Sequence, residues 1–99
     1  MYGPNGKTVK KISWSDFKHW QRWDEWTERI DNPPLTTEMV FWYENKQYMI
    51  TTLQSKYVIV SLPEFNEIIS NNNFLELLNT TFINGHTFKE LLSELLFEV

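Results

Sequence analysis

Apolar positions change their period twice along this chain. From Phe17 to Ile30 the large side chains Phe17, Trp20, Trp23, Trp26 and Ile30 recur at steps of three and four residues. At ~100° per residue they spread over about half of a helix's circumference. Trp14 falls on the opposite side, among Lys18, Gln21, Glu25 and Arg29. Ser13, with Asp16 three residues on, forms a helix-starting cap, and Ile12 and Phe17 occupy the two positions of a hydrophobic staple. Asp31-Asn32-Pro33-Pro34 stops the helix, because proline restricts its predecessor and donates no backbone hydrogen bond. The pattern predicts a long helix over 14–30, preceded by a short lysine-bearing edge strand within 7–12.

Between Glu38 and Leu62 the period becomes two. Met39–Tyr43, Tyr48–Leu53 and Tyr57–Val60 are rich in β-branched and aromatic residues, with polar breaks at 44–47 and 54–56. These predict a three-stranded antiparallel meander. The expected register sets Tyr43 opposite Tyr48, Phe41 opposite Ile50 and Ile50 opposite Ile59, with Trp42–Met49 and Met49–Val60 on the other face. Neither break has the favoured Asn-Gly pair, so a one-residue slip would exchange these neighbours. In either register both faces are apolar, and such a sheet needs cover on both sides.

From residue 63 onward the chain reads as helical. Ser61-Leu62-Pro63-Glu64 has the form of a capping box opening a helix to about Ser70. Asn73 caps a second, Phe74 to about Asn79, and Thr87 with Glu90 caps a third, Phe88 to about Phe97. Thr80-Thr81-Phe82-Ile83 fits a strand or a helix end. The fold expected is therefore α+β: a long N-terminal helix, a three-stranded antiparallel β-meander and two to three C-terminal helices. Residues 1–99 form one domain, with a basic and aromatic segment at 1–30, the meander at 38–62 and an acidic helical segment at 63–99. If all helices share one sheet face, the other is an interface.

Charge sharpens this division. The net charge of −4 combines +2 over residues 1–30 with −6 over residues 31–99. The basic groups Lys7, Lys10, Lys11, Lys18 and Arg22 thus share the N-terminal third with four of the five tryptophans. Cysteine is absent, which excludes disulfides, thiolate metal sites and thiol catalysis. No apolar leader or membrane-length run is visible, and a cytoplasmic protein is expected. Alanine is missing and asparagine abundant, the composition of AT-rich bacterial or phage coding sequence.

The candidate binding residues are Trp14, Lys10, Lys11, Lys18 and Arg22, a cluster joining phosphate-neutralising cations to one aromatic face. No nucleic-acid-binding motif accompanies them. His19 falls on the aromatic arc and His86 in a turn, neither with a second ligand at metal spacing, so no metal site is expected. Asp24, at the margin of the aromatic face, fits a hydrogen bond to an indole or phenol better than acid–base work. No nucleophile–base set, paired carboxylates or glycine-rich phosphate loop is present, so no enzyme activity and no cofactor are expected. The leading expectation is a small non-catalytic module that binds another protein or itself. The runner-up is a nucleic-acid-binding accessory protein using the N-terminal third.

Overall fold

The structure, a computed structural model, describes residues 2–4, 6–22 and 38–98. The expected α+β arrangement is overturned: the chain is mostly β, and its helices are short. In chain order the elements are β1 (Val9–Lys10), α1 (Trp14–Trp20), β2 (Met39–Tyr43), β3 (Lys46–Leu53), β4 (Lys56–Leu62), β5 (Asn66–Asn71), α2 (Phe74–Leu78), β6 (Thr81–Ile83), β7 (His86–Thr87), α3 (Phe88–Leu91), a 3-10 turn (Leu92–Glu94) and β8 (Leu96–Glu98). Six strands form one sheet in the order β1-β8-β2-β3-β4-β5, and β6-β7 is a separate hairpin. Every neighbouring pair is antiparallel.

The predicted long helix is corrected first. Ser13 and Asp16 do exchange both capping hydrogen bonds, and α1 begins at Trp14. It ends at Trp20: Arg22 takes φ 57° and donates its N–H to the His19 carbonyl at 2.9 Å, the left-handed closure that terminates helices. Trp23, Asp24, Glu25, Trp26, Arg29, Ile30 and the Pro33-Pro34 stop lie outside the described residues.

At the centre of the sheet, β2, β3 and β4 follow one another as antiparallel neighbours. Their joining turns, Glu44-Asn45 and Gln54-Ser55, hold both central residues at positive φ, between 49° and 66°. This mirror-image turn geometry matches strand twist and needs only two residues. Lys46 and Gln47 therefore join β3, and the β2–β3 register moves by two positions, to Phe41↔Tyr48 and Met39↔Ile50. The faces are unchanged, and Ile50↔Ile59 and Met49↔Val60 pair as expected.

Two of the predicted C-terminal helices are also corrected. The Ser61–Glu64 segment opens no helix. Residues 63–65 turn the chain, with Phe65 at φ 63°, and β5 returns along β4. Ile69 pairs with Ile59 there, and adjacent isoleucines favour strand over helix. The Thr87–Glu90 capping box forms, but α3 is one turn long. Leu95 is extended, and β8 then inserts between β1 and β2. The segment wins as a strand because Phe97 is fully buried there, its ring centroid 5.5 Å from Phe41 and 6.4 Å from Phe17.

All three described helices cover one sheet face. Phe17, Phe74, Leu77, Leu78, Phe88 and Leu91 meet Met39, Phe41, Tyr48, Ile50, Tyr57, Ile59 and Phe97 in a single core. Full burial contributes ~1.5–3 kcal/mol for each large apolar side chain. The opposite face is apolar as well, but Val58 and Val60 at its centre are 1% and 0% exposed.

Candidate functional site

The five predicted binding residues surround α1. Lys10 lies on β1, and its Nζ sits 5.2 Å above the Trp20 ring. Lys11 is exposed between β1 and α1, Lys18 is exposed on α1, and Arg22 is exposed just past its end. Trp14 is half-buried. Its ring stacks on Phe17 at 5.5 Å and 16°, and the Lys89 ammonium lies 4.8 Å from its centroid. Each tryptophan of α1 is therefore packed on the core through one part of its ring and met by a lysine at another. Such cation–π contacts are worth ~0.5–1 kcal/mol at exposed sites. Sequence reasoning missed Lys89, because only the fold brings α3 beside α1.

A second feature lies at the end of the sheet. The β2–β3 and β4–β5 turns rise on either side of a cleft of about 460 Å³, floored by Trp42, Gln47 and Leu62 from three adjacent strands. Lys46 and Glu64 are among the residues that line it. Its floor is fixed from β8: Glu98 Oε2 accepts from Trp42 Nε1 at 2.9 Å and from Gln47 Nε2 at 2.6 Å. Lys7 Nζ lies 3.8 Å from Glu98 Oε1. On the same sheet face Thr51 donates to the Glu38 carboxylate.

The third feature adjoins the second. Strand β5 is an outer strand of the six-stranded sheet, and among the described residues nothing pairs with its far side. Ile68 on β5 and Phe65 in the preceding turn are 38% and 44% exposed. Along its six residues, the backbone groups that do not face β4 lie beside two exposed apolar side chains and form a template for another strand. The opposite edge is different, since β1 is two residues long and flanked by lysines.

Among the described residues two side chains depart from ordinary ionisation. Burial, with the nearby Glu44 charge and Tyr43, raises the Tyr48 phenol above its usual range. The Thr87 backbone and hydroxyl hydrogen bonds hold Glu90 below the usual carboxylate range, with a smaller contribution from His86. His86 Nδ1 is 3.9 Å from Glu90 on an exposed surface. Among the described residues no three His, Asp or Glu side chains converge as metal ligands. No helix there is long and apolar enough to cross a membrane. Compared with family models, curated proteins and solved structures, the chain matches none.

Proposed function

We propose that this chain is a small, non-catalytic binding protein whose partner is another protein chain, engaged along β5. The observation that carries the reading is the outer edge of β5, unpaired among the described residues, beside exposed Ile68 and Phe65. Edge strands bind by extending the sheet: the backbone supplies hydrogen bonds and flanking side chains supply selectivity. The cleft floored by Trp42 gives such a partner a concavity at the β4–β5 turn. A cytoplasmic location belongs to the same proposal.

The reading differs from the sequence expectation in where contact is made. Trp14 and Trp20 already contact lysines. Both indoles are partly packed against the core, whereas the β5 edge carries the exposed apolar side chains Ile68 and Phe65, which favours a protein partner over single-stranded nucleic acid at Lys10, Lys11, Trp14, Lys18 and Arg22. The test is capture with tagged protein from lysate of the source organism, with and without nuclease, beside Ile68→Lys. A nuclease-resistant protein, a second copy included, that Ile68→Lys no longer holds supports the reading. Nucleic acid alone, lost on Lys10→Glu with Lys11→Glu, overturns it.

A further inference from the structure

Strand β5 reads Asn66-Glu67-Ile68-Ile69-Ser70-Asn71, the same pattern from either end: amide, polar, isoleucine, isoleucine, polar, amide. An interface with two-fold symmetry sets one surface against its own copy, so it demands self-complementarity of this kind. A regular strand of six residues would fail, because mirror-related positions would lie on opposite sheet faces. The register shift between β4 and β5 removes that obstacle. Asn66 pairs with Ser61 and Asn71 with Tyr57, on the helix-covered face, whereas Glu67 pairs with Val60 and Ser70 with Val58 on the other. Mirror-related residues outside the bulge therefore share a face, and Ile68 stands at its centre, exposed.

We propose that β5 pairs antiparallel with β5 of a second copy of this chain, Asn66 facing Asn71 and Glu67 facing Ser70 of the copy. The proposal rests on the protein-binding reading above and names its partner. Each Glu67 meets a hydroxyl and not a second carboxylate, so no like charges oppose one another. Asn71 Oδ1 accepts from the Asn73 backbone N–H at 2.8 Å, which leaves the Asn71 amide N–H₂ to donate across the dyad. Each copy uses β5 once, and the short β1 edges, guarded by Lys7, Lys10 and Lys11, stay outermost. The assembly closes as a dimer and does not extend into a fibre.

Sedimentation equilibrium of wild type, Ser70→Lys, Ser70→Glu and Ile68→Lys tests this, with thermal unfolding of each variant as a check on folding. Wild type is expected to dimerise. Ser70→Lys faces Glu67 twice per dimer and tightens association by roughly 2- to 30-fold, and Ser70→Glu weakens it by a similar factor. Ile68→Lys places two ammonium groups near the dyad and weakens it further. Opposite effects at one position cannot arise from misfolding. A wild type that stays monomeric up to ~1 mM, where an interaction weaker than ~4 kcal/mol would lie, overturns the proposal. So do Ser70→Lys and Ser70→Glu shifts of the same sign. If a monomeric wild type still captures a different protein through Ile68, only the self-pairing falls. If it captures none, the protein-binding reading falls with it.

Discussion

Replacing Glu98 with alanine asks whether one carboxylate pins the C-terminal strand to the sheet. Strand β8 is three residues long, yet it joins β1 to β2. Glu98 Oε2 accepts from the Trp42 indole at 2.9 Å and the Gln47 amide at 2.6 Å. A hydrogen bond to a charged group contributes ~1.5–3 kcal/mol, so the two together contribute ~3–6 kcal/mol. Lys7 is 68% exposed on its side chain, and its ion pair adds only ~0–1 kcal/mol. Trp42 is 9% exposed, so its N–H cannot simply turn to bulk water after the substitution. Glu98→Ala should therefore destabilise by ~3–5 kcal/mol, a large share of the ~5–15 kcal/mol typical of a domain. Glu98→Gln keeps an acceptor oxygen without the charge and should lose about half as much. Equilibrium urea unfolding followed by far-ultraviolet circular dichroism measures both. In a double-mutant cycle, Trp42→Phe, which keeps a ring and removes the N–H, should couple to Glu98→Ala by ~1.5–3 kcal/mol. A Glu98→Ala loss under ~0.5 kcal/mol, or simple additivity in the cycle, would show that Glu98 does not hold β8 to the sheet.

Phe17→Ala removes a fully buried ring that meets Trp14, Phe74, Phe88 and Phe97. It should cost ~3–5 kcal/mol in the same unfolding assay, whereas Lys89→Ala, which uncovers Trp14, should cost ~1 kcal/mol or less. Ser55→Gly relieves a positive φ of 66° in the exposed β3–β4 turn and should raise stability by about 0.5–1 kcal/mol, read as a higher melting temperature. The Tyr48 phenol, raised by burial and by Glu44, should ionise above the ordinary phenol range in an ultraviolet titration. Its protonated form is favoured in the folded state, so its contribution is complete below ~pH 10 and declines as pH rises further. Glu90, lowered by its Thr87 hydrogen bonds, works in the other direction. Its contribution is complete above ~pH 4–5 and is lost as pH falls through the folded-state value, and Glu90→Gln should remove that part of the pH dependence.

The elements legible in the sequence were those decided by a few neighbouring residues. Ser13 with Asp16, Asn73 with Glu76 and Thr87 with Glu90 each start a helix where the cap spacing puts it. The alternation at 39–60 identifies three strands and both apolar faces. What escaped depended on distant partners. A capping-box pattern at Ser61–Glu64 is chemically valid, but β4 offers the following isoleucines a paired, buried position that a short helix cannot match. The leucines and phenylalanines of 88–97 suit a helix face equally well until β8 finds its slot between β1 and β2. The two-position error between β2 and β3 arose because Glu44 and Asn45 accept positive φ without glycine, a choice that favours the tighter turn.

The binding surface divides in the same way. The lysines and Trp14 were visible as a local cluster, but their engagement by ring contacts came only with the fold. The β5 edge was hidden inside a segment that looked helical. Its self-matching pattern acquires meaning only once the strand is outermost and the bulge has set Glu67 and Ser70 on one face.

Hydrogen exchange of the β5 amides, measured by NMR across a wide range of protein concentration, tests that surface most directly. If β5 pairs with another copy, protection over Asn66–Asn71 rises with concentration and the β1 edge at Val9–Lys10 does not follow it. Exchange over β5 that stays fast and unchanged at every concentration would contradict the account.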